Sequence, residues 1–267
     1  MDDRPIGFFD SGLGGLTAVR ALRRMLPDEN IIYFGDTARM PYGAREVSQL
    51  RVMARQDLDF VAERGVKCIL AACGTVSSTA PDVLRGYAVR TFDVLSSTVR
   101  EAAKHPESPI GVIATAACIN SGAFQKGLAA LCPDTEVVAV ACPAFVPLIE
   151  SGHFDPDDAA LREAVAEYLA PIKAAGAGSL ILGCTHYGLI EEAIRRFIGI
   201  RIHTVEASAC AARELADWLR AGDLCGGSAE ERFCTSGSAE DFARLGEIFL
   251  GRQIRGEVEH VPAMEVV

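Results

Sequence analysis

Along nearly the whole chain, short apolar runs alternate with longer stretches of helical periodicity, and this alternation restricts the fold to the α/β class. The runs Ile6–Phe9, Ile31–Phe34, Cys68–Ala72, Arg90–Val94, Ile110–Ala114, Glu136–Ala141, Leu180–Leu182 and Arg201–Val205 read as strands. Between them, Gly15–Met25, Glu46–Arg64, Ala159–Ala174 and Leu189–Phe197 carry the spacing of helices. Several runs are apolar at every position, not at alternate ones, as in a parallel sheet covered on both faces. The closing stretch Phe233–Gly251 reads as a polar turn, Thr235–Gly237, followed by an amphipathic helix that packs back onto one half.

A weak internal repeat narrows the architecture. Ile6-Gly7-Phe8-Phe9-Asp10 matches Ile110-Gly111-Val112-Ile113-Ala114, and Ile69-Leu70-Ala71-Ala72-Cys73 matches Leu180-Ile181-Leu182-Gly183-Cys184. After each cysteine come a helix and a further strand ending near an acid, at Asp93 and at Glu206. Chance recurrence of apolar runs is the alternative account of this match. Taken as a repeat, it predicts two pseudo-symmetric α/β domains with mostly parallel sheets: residues 1–97 completed by 208–267, and residues 98–207. Ligands of open α/β sheets bind beyond the carboxyl ends of the strands, so Cys73 and Cys184 would face one shared cleft between the domains.

Composition removes several classes of function. With 267 residues, 49% hydrophobic, the chain can bury a substantial core. The formal net charge of −10 argues against broad binding of nucleic acid or of an anionic membrane. No segment approaches the roughly 20 consecutive apolar residues of a membrane span, and the N-terminus does not read as a signal peptide. The nine cysteines are odd in number, scattered, and free of any Cys-x-x-Cys pair. That pattern predicts a reducing, cytoplasmic setting with neither a disulfide framework nor a structural zinc.

Three strand-end segments carry the chemistry. Asp10-Ser11-Gly12-Leu13-Gly14-Gly15 fits neither a dinucleotide nor a Walker A spacing; it reads as a tight strand-to-helix turn capped by Asp10, or as a cradle for an anion. Cys73-Gly74-Thr75 and Cys184-Thr185-His186 each place a thiol where a helix N-terminus is expected, which lowers a thiol pKa and makes some thiolate available. Cys68, Cys132 and Cys142 read as inert packing residues. A single site of this kind would suit a nucleophile with His186 as its base. Two matched sites suit racemisation: one group removes a proton from one face of a carbon while another delivers a proton to the opposite face, the two titrating as a coupled pair. Arg39 and Arg45 read as surface or rim cations, with attraction of a dicarboxylate as the functional alternative. His105, His153, His203 and His260 read as isolated structural or solvent-facing residues, and Asp155-Asp157-Asp158 as a helix start rather than a metal site.

With these residues in view, the chain resembles glutamate racemase almost from end to end. The resemblance is carried by IGFFDSGLGGL at Ile6–Leu16, YFGDTARMPYG at Tyr33–Gly43, AACGTVSS at Ala71–Ser78, CPAFVPLIESG at Cys142–Gly152, LGCTHYGLI at Leu182–Ile190 and CTSGSAEDF at Cys234–Phe242. It implies that Cys73 and Cys184 are the acid/base pair, with Asp10 and His186 as their helpers. It also implies that Ser11, Pro41, Tyr42, Gly43, Gly74, Thr75, Thr115 and Thr185 line the substrate site, and that Asp36 and Glu150 are acids of secondary importance. A cofactor-independent, metal-free, dimeric enzyme acting on an amino acid and supplying D-glutamate for cell-wall peptidoglycan is the corresponding expectation. Three positions depart from the family pattern: Gly74 stands where Asn is usual, Cys118 where Thr is usual, and Gly188 where Pro is usual. Losing a hydrogen bond to a charged ligand group costs about 1.5–3 kcal/mol. The departures therefore keep open a relative acting on another carbon acid, of aspartate, hydantoin or malonate type, and a catalytically silent ligand-binding paralogue.

Overall fold

The computed structural model describes residues 1–104, 106 and 109–265. Ten strands occur among them, all paired in parallel: β1 (Ile6–Asp10), β2 (Ile31–Gly35), β3 (Cys68–Ala71), β4 (Thr91–Asp93), β5 (Ile110–Ala114), β6 (Val137–Ala141), β7 (Ser179–Leu182), β8 (His203–Glu206), β9 (Glu231–Thr235) and β10 (Val258–His260). They form two sheets, ordered β10-β9-β2-β1-β3-β4 and β6-β5-β7-β8. Strands β1 to β4 and β5 to β8 therefore follow one and the same order. The register agrees as well: Gly7 pairs with Ile69, and Gly111 pairs with Leu180. The sequence repeat is a repeat of structure, and it puts Cys73 and Cys184 each two residues beyond the last paired residue of the equivalent strand.

All eight expected strands are present, with ends shifted by up to two residues. β1, β2, β3, β5 and β7 are buried along their whole length, which is why their sequences lack alternation. β9 and β10 were not expected. Only Phe233 and Cys234 are apolar in β9, which nevertheless pairs with β2 before the helix Ala239–Leu250 begins at the Ser238 cap. The turn Thr235–Gly237 is thus the exit of a strand. The same logic of termini recurs in both halves: the Asp93 side chain caps the helix Val94–Ala102, and the Glu206 side chain caps the helix Ala207–Ala221. Asp158 caps the helix Ala159–Ala174, in agreement with the reading of that acidic run as a helix start.

Of the histidines read as structural or solvent-facing, His203 and His260 are exposed and His153 is half-buried. His153 pairs with Asp158 at 2.8 Å, and His260 Nδ1 lies 2.8 Å from the Gly237 carbonyl, so neither is isolated; His203 also has a partner. His105 lies outside the described residues. No helix among the described residues is long and apolar enough to cross a membrane.

Candidate active site

The carboxyl ends of β1, β3 and β7 deliver Asp10, Cys73 and Cys184 to one place, where segments of the two halves touch. Gly14 has no room for a side chain, because a Cβ there would collide with His186 Nδ1 and Thr185 Oγ1. A Cβ on Gly74 would lie 3.0 Å from the Gly183 carbonyl oxygen, so the turn after Cys73 abuts the turn before Cys184. Thr17 Oγ1 bridges the same seam, 3.0 Å from the Thr185 carbonyl and 2.6 Å from Ser208 Oγ. Asp10, Cys73, Cys184, Thr185 and His186 are all buried.

Each cysteine has its own polar partners. The Cys73 thiol lies 3.5 Å from Ser11 Oγ, which lies 3.5 Å from Asp10 Oδ1; the other Asp10 oxygen accepts the Gly15 N–H at 2.9 Å. Cys184 Sγ lies 3.7 Å from His186 Nδ1, and His186 Nε2 lies 3.1 Å from Glu150 Oε1. Phe249 packs edge-on against the His186 ring, with centroids 5.1 Å apart. Burial would lower the His186 pKa, but contact with Cys184 and Glu150 outweighs it and pushes it up to about 10. Burial pushes the Asp10 carboxyl up, against the pull of His186 and the N–H groups of Gly15, Ser11 and Gly12.

Cys73 does stand at the N-cap of a helix, Gly74–Thr79, but burial and the neighbouring Asp10 push its thiol pKa up to about 12. Desolvation overrides a helix of six residues. Cys184 leads into the short 3-10 turn Tyr187–Ile190 rather than directly into a helix.

The remaining expected residues fall into two groups. Thr115 Oγ1 is a buried hydroxyl with no hydrogen-bond partner, at the end of β5. Thr75 is buried within the helix that Cys73 caps, and Ser11 is half-buried. Cys118 Sγ lies 3.7 Å from the Gly74 carbonyl oxygen, so two of the three departures from the family pattern touch each other. Pro41 and Gly43 are exposed, whereas Tyr42, between them, turns its hydroxyl into the protein. There it meets the carboxylates of Asp36 and Asp57, which also pair with Arg39. Arg39 is 7% exposed and is not a rim cation; it is the buried counter-ion of two acids. Asp57 was missed. Its signal was present in the helix Val47–Ala62, where it stands seven residues after Leu50 on the stripe of Met53, Ala54, Leu58 and Val61.

The fold and the sequence are shared with known proteins. The model of the Asp/Glu/Hydantoin racemase family matches residues 16–213. The chain belongs to that family. A glutamate racemase of Syntrophus aciditrophicus is 38% identical over 262 residues, 96% of each chain. One of Streptococcus gordonii is 37% identical over 267 residues, 98% of this chain and 99% of that one. The crystal structure of the glutamate racemase of Francisella tularensis, solved with D-glutamate, superposes with a TM-score of 0.90 at 35% identity over 98% of both chains.

Proposed function

We propose that this chain racemises glutamate by proton transfer at two sulfurs, Cys73 and Cys184, on opposite faces of the α-carbon. In one direction, a Cys184 thiolate takes the α-proton and the C–H electron pair stays on the carbon, delocalised toward the carboxylate. The Cys73 thiol then gives its proton to the other face. The sulfurs end with their protonation states exchanged; Cys184 then gives a proton to solvent and Cys73 takes one up, by way of the groups beside them, which restores the starting state for the next molecule of the same hand. His186, held by Glu150, is the cation beside Cys184; Ser11 and Asp10 form the relay beside Cys73. Thr115, with its unpartnered hydroxyl, and Thr75 and Thr185 are the candidate donors to the polar ends of the amino acid.

The observation that carries this reading is the equal register of two strand-end cysteines whose turns abut at Gly74 and Gly183. Cys73→Ala and Cys184→Ala are each expected to lower racemisation of free glutamate by about a thousandfold or more, some 4 kcal/mol in barrier. The wild type is expected to introduce deuterium at the α-position in heavy water with no added cofactor. Racemisation that survives either substitution within tenfold overturns the two-sulfur assignment.

A second reading, action on another carbon acid, is favoured by the contact of Cys118 with Gly74, where a thiol and a bare backbone stand in place of two polar side chains. A panel of glutamate, aspartate, a hydantoin and a malonate separates the two. Retention of both cysteines and His186 speaks against a silent paralogue. The same proposal includes two domains (1–97 with 208–267, and 98–207), a homodimer, a cytoplasmic location and supply of D-glutamate to peptidoglycan, all supported by family membership.

A further inference from the structure

The buried cluster behind Pro41–Gly43 contains more acceptors than its evident protons can serve. The Tyr42 hydroxyl is within hydrogen-bond reach of Asp36 Oδ2 and of Asp57 Oδ2, the latter at 2.8 Å. A hydroxyl has one proton and can donate to only one of them. Asp36 is committed as an acceptor on both oxygens: Oδ1 takes the Ser236 hydroxyl at 2.7 Å, and Oδ2 takes Arg39 Nε–H at 2.5 Å. Asp57 Oδ1 takes Arg39 Nη2–H at 2.8 Å, which leaves Asp57 Oδ2 with the Tyr42 oxygen alone. The contacts close if the missing proton sits on Asp57 Oδ2 and is donated to Tyr42 Oη, while Tyr42 donates to Asp36. The cluster is then neutral, one carboxylate against one guanidinium, as its complete burial favours.

We propose that Asp57 is a positioning residue: as the neutral carboxylic acid it closes the chain Asp57–Tyr42–Asp36 that, with Arg39, fixes the Pro41–Gly43 segment at the candidate active site. This rests on the reading of that site as a racemase site. The segment is built into it on both sides. Met40 packs over Gly12, the Asp36 N–H donates to the Asp10 carbonyl at 3.0 Å, and a Cβ on Gly43 would lie 3.9 Å from Ala117 of the other half. From behind, the carbonyls of Met264 and Glu265 accept from Arg39 and Gln56 and seal the cluster. The charged and titratable groups facing Asp57 are Asp36, Arg39 and Tyr42, with Asp10 farther off. Burial and the Asp36 charge push the Asp57 carboxyl well above its ordinary range, more than Arg39 and Tyr42 pull it down.

Asp57→Asn preserves the shape and still donates to Tyr42, whereas Asp57→Ala removes the donor. Wild type and Asp57→Asn are compared first by thermal unfolding without substrate. The native acid keeps a proton that the unfolded chain releases above its ordinary carboxyl pKa, so the wild type loses stability as pH rises and the variant does not. The Tm of Asp57→Asn relative to wild type is expected to climb by about 2–3 °C per pH unit above pH 5. A flat or falling difference means that Asp57 is ionised and overturns the proposal, whatever the enzyme's substrate. In glutamate racemisation, Asp57→Asn is expected to keep KM and kcat within about twofold, and Asp57→Ala to raise KM tenfold or more with a smaller change in kcat. Equal effects of the two substitutions overturn the positioning role. Should Asp57→Ala not fold, the unfolding comparison decides.

Discussion

Because burial and Asp10 push the Cys73 thiol up to about 12, while Cys184 and Glu150 raise His186 to about 10, the two cysteines meet the substrate with different partners: a hydroxyl–carboxyl relay on one side and an imidazolium on the other. His186 is the residue through which pH should act. Its folded pKa lies above its ordinary one, so its contribution is complete below about pH 6.5 and is lost as pH rises through about 10. Glu150→Gln removes one of the two contacts that raise it. The basic limb of the profile of kcat/KM against pH is therefore expected to move toward lower pH in that variant; an unmoved limb shows that another group sets it. At this scale the sequence was partly legible. Cys73 and Cys184 stood out because an apolar run stops at each and hydroxyl-bearing residues follow. The height of the Cys73 pKa was not legible, because it comes from what the rest of the fold stacks around it. Arg39 looked like a surface cation because one of its two acid partners, Asp57, lies eighteen residues away on a helix, and only the fold buries the trio.

Among the elements, the strands without alternation were readable, since a strand covered on both faces shows as an unbroken apolar run. β9 was not. Its residues Glu231-Arg232-Phe233-Cys234-Thr235 are charged at one end, and Glu231 is held there by Arg23 and Arg252 from elsewhere in the chain. A strand stabilised by distant ion pairs leaves little local trace. This addition matters to the site, because the helix after β9 carries Phe249 onto His186. Phe249 is 1% exposed, so Phe249→Ala is expected to cost about 3–5 kcal/mol in denaturant unfolding. A cost below about 1 kcal/mol would mean that the helix is not anchored at this ring.

Taken whole, the molecule keeps its reactive sulfurs out of water: Cys73 is 4% exposed and Cys184 7%, while Cys225 is only half-buried. Alkylation by iodoacetamide, followed by mass spectrometry, is expected to modify Cys225 first. Cys73 and Cys184 should react at least tenfold more slowly, and more slowly still with glutamate present. Equal labelling of all three would show that the site stands open in solution.

The unlike partners of the two sulfurs have a thermodynamic consequence. Mirror-image amino acids have the same free energy in water, so a racemase works on an equilibrium constant of one. Its kcat/KM must then be identical for either hand, however differently the two sides are lined. The contrast between the Ser11–Asp10 relay and the His186–Glu150 pair can surface only in how each hand divides that common ratio between saturation and turnover.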